Sequence, residues 1–516
     1  MGLLQSFFLG DPKSLIMHVV ESTYQIGNQI NENTPAPKSK NSLIRRLLVI
    51  AGIPIDNLTM EETLDSIEHL IQQGKKDGRT RQIATVNADF VVKAAEDPEL
   101  RFLLQEADLA TPDGMPLVWG ARMLGVNIRE RVAGADIVPA LAKRAAKKGY
   151  SLYLFGSVDG VPQKAADILI QNNPNLKIVG QVSPPFSSVI DMEQKYIDDI
   201  KNAKPDILLV ALGNPKQEKF IGMHKNDLGV PVAIGIGGTL DLIAGKTIRA
   251  PLWMQKAGIE WLYRMFSDPG RLVERYYKDL TGFTRFFASQ WIHMRRGKKS
   301  NVLLPQQDLV LVDDKAVVRL SGRIDANNNH KLTGLLEQAL AETAKIDIDL
   351  SNAIFLDSLA IGTLLGSTRV ARDRKGDIRL VNVPTTIMQT LKLLKLDRFF
   401  ELVSSSNKSP QIKKPAVSRT EKHIVIPTPA IFDANSSRSW TKKTLNELEP
   451  GKNVFLDFSN TRLLASAGLA AIVKINHEVT KHDGELKLVN CAEDIKRIFK
   501  IVKFDMLFTV IDSLPD

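Results

Sequence analysis

At 516 residues the chain is longer than one hydrophobic core normally serves, so about two to four domains are expected. Its single cysteine, Cys491, excludes a disulfide framework and a cysteine-built zinc site, which fits a reducing cytoplasm. The formal net charge of +10 is concentrated in one segment, no run reaches the roughly 18 to 20 apolar residues of a membrane span, and the N-terminus lacks the basic region and cleavage site of a secreted protein.

Residues 1–44 carry little pattern: Leu3 to Val20 suits a short amphipathic helix, and Asn31 to Asn41, with two prolines and two lysines, a flexible linker. Gln82-Ile-Ala-Thr-Val-Asn-Ala-Asp89 then reads as an apolar strand closing on Thr85, Asn87 and Asp89. Ala107 to Gly114 brings Asp113 into a turn bounded by Pro112 and Gly114. With Met115 to Trp119 beside it, this acid has the apolar surroundings that raise a pKa toward the range of a general base. After the strand Leu152 to Phe155, Gly156-Ser-Val-Asp-Gly160 suits a phosphate-facing turn, and a plain strand-to-helix loop explains it equally well.

Asp206 to Leu212 is continuously apolar, as expected of a strand buried on both faces of a parallel sheet. Such sheets bind ligands beyond the carboxyl ends of their strands. There the chain places Gly213 for close approach, the amides of Asn214 and Gln217, the cation Lys216, and Glu218. An ordinary loop with solvated polar groups is the competing reading. Val232 to Gly238 runs into a second glycine cluster with Gly237, Gly238 and Asp241, suited to a nucleotide or sugar. The G-x-G-x-x-G fingerprint is not completed and no acid follows at the required distance, which disfavours a dinucleotide cofactor.

Between Lys246 and Lys299 twelve Lys and Arg face four acids, interleaved with Trp253, Trp261, Trp291 and several Phe and Tyr. A basic, aromatic, helix-patterned stretch too polar to span reads as an element lying on anionic lipid. The alternative is a docked helix pair whose aromatics are core. Nucleic acid is the weaker rival, because no recognised nucleic-acid motif accompanies the cations.

The rest of the chain contains a repeat. Asp349-Leu-Ser-Asn352 recurs as Asp457-Phe-Ser-Asn460 and Leu380-Val-Asn382 as Leu488-Val-Asn490, both at an offset of 108 positions. Each copy reads as an opening strand pair, a central strand, a helix starting near Ser358 or Ser466, then strand and helix. Ser404 to Thr420 between them is polar and unpatterned, as in a linker.

Thr85-Val-Asn87, Pro112-Asp-Gly114, Arg131-Val-Ala-Gly134, Gly213 to Glu218, Gly237-Gly-Thr-Leu-Asp241 and Arg249-Ala-Pro251, in that order, resemble the WecG/TagA/CpsF glycosyltransferases. The resemblance covers about residues 47–291 and includes Arg264, Arg271 and Arg275. It implies inverting transfer of a sugar, often of N-acetylmannosamine type, from a UDP donor to a polyprenyl-diphosphate-linked acceptor, without metal or cofactor. By the same resemblance Asp113 deprotonates the acceptor hydroxyl, and Thr85, Asn87 and Gln217 hydrogen-bond substrate. Arg131 holds phosphate or orients Asp113, and Arg264, Arg271 and Arg275 meet the donor diphosphate. Residues 45–300 contain no Asp-x-Asp pair of the kind that holds a cation in metal-dependent sugar-nucleotide transferases. Charge on departing UDP would then fall to Arg, Lys and backbone amides.

Asp349 to Asn352 with Leu356-Asp-Ser-Leu-Ala-Ile-Gly362, and Asp457 to Asn460 with Leu464-Ala-Ser-Ala-Gly-Leu469, resemble STAS domains. In that family a regulatory phosphate goes on the second serine of an Asp-Ser-Ser-Gly turn, a position held here by Leu359 and Ala467. Ser358 and Ser466 are expected as helix N-caps, and the pair as a binding module for an unknown protein partner.

The expected architecture is α/β: a Rossmann-like parallel-sheet transferase at 45–246, a basic helical appendage at 247–299, and STAS-like domains at 306–403 and 421–516, joined by the 404–420 linker. The expected place is the cytoplasm, peripherally on the inner face of the membrane through residues 247–299. A non-enzymatic sensor of a sugar nucleotide is the alternative function. Deletion from about Gln306 is expected to leave transfer intact in detergent.

Overall fold

The computed structural model describes residues 44–513 except 186–188, 190–191, 257–258, 268, 298–306, 313, 404–416 and 420–422. The expected N-terminal helix, the Asn31 to Asn41 linker, Lys298, Lys299 and most of the linker at 404–420 therefore lie outside the described residues.

An apolar run from Leu47 to Ile55 forms a hairpin, β1 (Leu47–Ile50) against β2 (Ile53–Asp56), turning through Ala51 and Gly52 at positive φ. Helix α1 (Met60–Asp77) starts at a capping box between Thr59 and Glu62 and stops at Gly78, in the left-handed conformation that glycine tolerates. Strands and helices then alternate: β3 (Arg81–Val86), α2 (Ala88–Glu96), α3 (Pro98–Glu106), β4 (Leu109–Pro112), α4 (Met115–Met123) and α5 (Gly134–Lys148). The run continues with β5 (Ser151–Gly156), α6 (Val161–Asn172), β6 (Lys177–Val182), α7 (Gln194–Ala203), β7 (Ile207–Ala211), α8 (Lys216–His224), β8 (Val232–Gly235) and α9 (Thr239–Ile243).

The strands β3 to β8 form one parallel sheet in the order β4-β3-β8-β7-β5-β6. In β7, Ile207, Leu209 and Ala211 join the core on one face while Leu208 and Val210 join the core on the other, so this strand is buried on both sides as its composition predicts. The carboxyl ends of β4, β3, β8 and β7 are neighbours, which gathers the polar strand-end residues at one edge.

Three helices follow, α10 (Leu252–Lys256), α11 (Glu260–Ser267) and α12 (Pro269–Gly297). Arg249–Val273 belong to a compact unit separate from Ile44–Ile248 with Glu274–Asp516. In α12, Phe283 and Phe287 stack at 5.6 Å and are buried in the core that also holds Leu117 and Val118. Trp291 packs against the same core with the Arg295 guanidinium 4.7 Å over its ring, so this indole is a packing residue rather than the lipid-facing one expected. For these aromatics the docked-helix reading of the basic segment holds.

The first copy of the repeat consists of β9 (Gln307–Val312), β10 (Lys315–Ile324), α13 (Asn329–Glu342), β11 (Lys345–Leu356), α14 (Ser358–Asp373), β12 (Asp377–Val381), α15 (Thr385–Leu393) and β13 (Glu401–Val403). The second consists of β14 (Ser418–Arg419), β15 (His423–Pro427), β16 (Ile431–Phe432), α16 (Ala434–Glu447), β17 (Asn453–Asp457), β18 (Leu463–Leu464), α17 (Ser466–Lys481), β19 (Leu486–Val489), α18 (Glu493–Ile501) and β20 (Thr509–Ile511). Their sheets run β13-β12-β11-β10-β9 and β14-β15-β17-β19-β20, the same arrangement twice. The offset seen in the sequence reaches the backbone: Lys375 and Asp483, Asn382 and Asn490, Lys395 and Lys503 share positive φ. Asn382 donates to Asp349 in one copy as Asn490 donates to Asp457 in the other.

Three expectations need correction. Helices α13 and α16, which follow the opening strands, were not anticipated; α13 lays Leu332, Leu336 and Ala339 into its copy's core amid polar neighbours, and α16 buries the small residues Ala434, Ser437, Thr441 and Thr444. Ser358 and Ser466 are not N-caps but the first helical residues, the caps being Asp357 and Ala465. Copy 1 is also not a separate bead. Leu47 and Val49 of β1 lie in the copy 1 core, whereas Leu48 and Ile50, on the opposite face of the same strand, lie in the transferase core.

Around this strand, buried Gln290 of α12 accepts from the Ala51 amide at 2.6 Å and donates to the Val49 carbonyl at 2.8 Å and to Ser358 Oγ at 2.9 Å. Arg369 of α14 donates to the Leu104 and Gln105 carbonyls, and burial with Arg45 nearby pulls its guanidinium down to about 9. Deleting copy 1 would expose this apolar surface, contrary to the expected independence. A β-carbon at Gly362 would lie 2.0 Å from the Leu47 carbonyl oxygen, a backbone atom with no room to give. Gly362→Ala is therefore expected to destabilise the chain by about 1–3 kcal/mol. Amide exchange should accelerate in β1–β2 and α14 together, a pairing that mass-spectrometric hydrogen exchange would detect.

Candidate active site

The site is assembled at the sheet edge from four strand ends. Thr85, the penultimate residue of β3, is buried and donates through Oγ1 to the Gly235 carbonyl of β8 at 3.0 Å. Two residues on, Asn87 leaves the sheet as the N-cap of α2, its Oδ1 accepting from the Phe90 amide. The Asp113 amide donates to the Val86 carbonyl at 2.7 Å, which sets this residue beside the end of β3. Its half-buried carboxylate accepts from the Gly134 amide at 3.3 Å, the first residue of α5, and α5 has no side-chain cap of its own. Gly134 lies against Thr85, where an added β-carbon would come within 3.4 Å of the threonine side chain. Thr85, Asp113 and Gly134 thus converge.

The β7 and β8 ends close the other side. Gly213 and Gly237 both have positive φ, +77° and +54°, and a β-carbon at either would meet nothing within 4 Å. These are the places where backbone lies open to an approaching ligand. Gln217, almost wholly buried, accepts through Oε1 from the Gly237 amide at 2.9 Å and donates through Nε2 to Glu218 Oε1 at 2.8 Å. It ties the two loops together.

Glu218 itself has no exposed surface: it sits under Gly235, where an added β-carbon would lie 2.6 Å from its Oε1, and its Oε2 is buried without a partner. Burial pushes its carboxyl up to about 8. The substrate contact expected of Glu218 has no surface to be made from, and the carboxyl braces the β8 loop instead. Asp241 accepts from Ser157 Oγ at 3.2 Å and pairs with Lys246 at 3.5 Å, joining the Gly156 turn to the α9 turn. Arg131 pairs with Asp136 at 3.4 Å.

A second cluster, in which the sequence reading had Asp89, Asn214 and Arg275 but not Lys93 or Asp279, adjoins Asn87. Asp89 is 5% exposed, and its Oδ2 receives Asn214 Nδ2 at 2.9 Å, Lys93 Nζ at 3.0 Å and Arg275 Nη2 at 3.1 Å. Lys93 also donates to the Asn214 carbonyl, the residue before the cis peptide to Pro215. Arg275 lies 3.7 Å from Asp279, whose carboxyl burial and the charge of Asp89 push up to about 6. Of the three arginines expected at the diphosphate, Arg275 reaches these strand-end residues. The side chains of Arg264 and Arg271 lie outside the described residues. A signal for Lys93 was present, since Asp89 and Lys93 stand four apart on a helix. Asp279 had none, because only the tertiary fold brings it to Asp89.

The raised carboxyl of Glu218 makes stability depend on pH. The folded chain holds a proton that the unfolded chain has released, so this contribution is full below about pH 4.5 and is lost as pH rises through about 8. The isosteric Glu218→Gln has nothing to ionise. Its melting temperature is expected to rise relative to wild type from about pH 5 to about pH 8 and the difference to level above that, as thermal denaturation across pH would show.

Comparison with known proteins agrees with this architecture. Residues 48–297 match the family model described as "Glycosyl transferase WecG/TagA/CpsF family", residues 308–404 match "Mlab, STAS domain" and residues 414–516 match "STAS domain". An N-acetylglucosaminyldiphosphoundecaprenol N-acetyl-beta-D-mannosaminyltransferase of Bacillus subtilis (strain 168) is 32% identical over 224 residues, 43% of this chain and 84% of that protein. A protein of the same description from Staphylococcus aureus (strain MW2) is 29% identical over 43% of this chain and 85% of its own length. The solved anti-sigma factor antagonist SpoIIAA in its unphosphorylated form aligns with 22% of this chain and 96% of its own at 18% identity and TM-score 0.18, too slight a likeness to argue from. With the strand-end motifs in place on a parallel sheet, and a relative matched over most of its length, the chain belongs to the WecG/TagA/CpsF family of glycosyltransferases and carries two STAS domains behind the transferase.

Proposed function

We propose that this chain transfers an N-acetylmannosamine-type sugar from a UDP donor to a polyprenyl-diphosphate-linked acceptor of N-acetylglucosamine type, in bacterial cell-envelope or exopolysaccharide synthesis. The observation that carries the reading is the half-buried Asp113 carboxylate, oriented by the Gly134 amide beside Thr85 and Asn87. Across the strand ends lie the open backbones of Gly213 and Gly237. A base next to an accessible glycine-lined edge is what a displacement at a sugar needs. The relatives' printed activity supports the choice of donor and acceptor sugars.

In the proposed step an acceptor hydroxyl attacks the anomeric carbon, Asp113 takes its proton, and the bond to UDP breaks on the opposite face, inverting the centre. Negative charge gathers on the departing diphosphate. Cations answer it in place of a metal, among them Arg275 with Lys216, and by family resemblance Arg264 and Arg271. Thr85, Asn87 and Gln217 fix the reacting groups, Gln217 by holding the Gly237 loop.

A lipid-linked acceptor has to be met at a bilayer surface. Trp253 and Phe266 in one unit, and Tyr277 in the other, are each more than half exposed within the basic segment, which supports peripheral attachment at the cytoplasmic face. Among the described residues no helix is long and apolar enough to cross a membrane.

Incubating the chain with labelled UDP-sugars and a short-chain polyprenyl-diphosphate N-acetylglucosamine is expected to give an inverted disaccharide product. Asp113→Asn should lower turnover roughly a hundredfold or more while UDP-sugar binding stays near wild type. Wild-type turnover in that variant would remove Asp113 from the base role, and donor binding without transfer to any acceptor would favour the sensor reading. EDTA is expected to leave the rate unchanged, and a loss restored by Mg²⁺ or Mn²⁺ would overturn the metal-free step.

A further inference from the structure

The two STAS copies start their second helix differently. In copy 1, α14 is capped from within, Asp357 accepting from the Leu359 and Ala360 amides. At the same register in copy 2 stands Ala465, and α17 has no side-chain cap of its own. The missing carboxylate comes from the transferase. Glu99 of α3 accepts from the Ser466 amide at 2.6 Å through Oε1 and from Ser466 Oγ at 2.8 Å through Oε2, in a buried contact.

That carboxylate has a second duty. Glu99 Oε2 also lies 3.2 Å from Lys219 Nζ, which Asp97 holds at 2.7 Å on its other side. Lys219 is in the first turn of α8, immediately after Lys216, Gln217 and Glu218. Burial disfavours its charge, and the two acids more than offset this, so the ammonium is held above the ordinary lysine range. The far end of α8 is gripped by the same copy: Asn226 donates to the Ala434 carbonyl at 3.1 Å, and Asp227 pairs with Arg438 at 3.4 Å. Copy 2 therefore reaches the first turn of the site helix through Glu99 and meets the residues just beyond its last turn directly. One shared carboxylate caps α17 of copy 2 and, with Asp97, pairs with the lysine two residues after Gln217.

We propose that the second STAS domain is an in-cis clamp on the site helix α8, with Glu99 and Lys219 as positioning residues, so that release of Ser466 from Glu99 slackens Gln217 and lowers sugar transfer. The regulated quantity is the hold of Gln217 on the Gly237 loop, and the regulator is whatever displaces the α17 N-terminus from Glu99. This rests on the transferase reading of the site, but the mechanical coupling does not depend on which sugars are used.

The test uses the full chain. Ser466→Asp sets a second carboxylate against Glu99, and hydrogen exchange should accelerate about tenfold or more both in 466–481 and in 216–224. Transfer should fall by roughly tenfold or more, chiefly as a raised donor KM. Adding Glu99→Gln to that variant moves the carboxylate to the other partner, where Asp at 466 can meet Lys219, and should restore protection and transfer to within about threefold of wild type. If Ser466→Asp does not fold, Glu99→Gln alone serves: it keeps a capping oxygen and removes the negative charge that faces Lys219. It should preserve protection of 466–481 while loosening 216–224 and raising the donor KM. Release of 466–481 with 216–224 and transfer unchanged would overturn the proposal, as would unchanged exchange in both segments or failure of the double variant to recover. Exchange is read without turnover, so a wild-type chain that transfers no sugar would count against the reaction and still leave the coupling decided.

Discussion

A four-residue strand buried on both faces is the constraint from which the rest of the molecule follows. β1 sends Leu47 and Val49 into one hydrophobic core and Leu48 and Ile50 into another, so neither core closes without the other. Because a strand alternates its side chains, a slip of one residue would exchange the two sets and ruin both cores at once. The glycine at 362 and the amide of Gln290 serve this strand, one by letting a helix touch its backbone, the other by satisfying backbone groups at the hairpin turn. The helix carrying Gln290 also carries Arg275 and Asp279, so the same packing that joins two domains delivers a cation and an acid to Asp89.

Much of the transferase was legible because its signals are local. The unbroken apolar run of β7 suits a strand buried on both faces, and polar residues at the carboxyl ends of β3, β7 and β8 gather at one edge because the sheet is parallel. That reasoning placed Thr85, Asn87, Asp113 and Gln217 together. It misjudged Glu218, because a strand-end position says where a residue starts and not which way its side chain turns. It passed over Asp279 and Lys93, whose partners are far away in sequence or hidden in the first turn of a helix.

The repeat shows the same boundary from the other side. Sequence identity at a fixed offset was enough to foresee two copies, and the shared left-handed residues confirm that they are built alike. What it could not convey is how differently they are used. Contacts between domains have no period, and a single change such as Asp357 in one copy against Ala465 in the other looks neutral until the missing helix cap is found on another domain. Trp291 was misread for a related reason: an aromatic beside cations has the same appearance in sequence whether it faces lipid or lies beneath an arginine.

The double burial of β1 also decides how the chain comes apart. Transferase and first copy hold each other through the apolar faces of β1, which salt does not weaken, with ion pairs such as Arg79–Asp373 and Arg372–Glu106 beside them, so the two are expected to unfold together. The second copy is held to the transferase through Glu99, Asn226 and Asp227, contacts that are charged or polar and that ionic strength can reach at the exposed Asp227–Arg438 pair. Two copies of one pattern have thus become different kinds of part: the first shares a strand with the transferase core, whereas the second meets it through Glu99, Asn226 and Asp227, so ionic strength trims the edge of one attachment and reaches into the other.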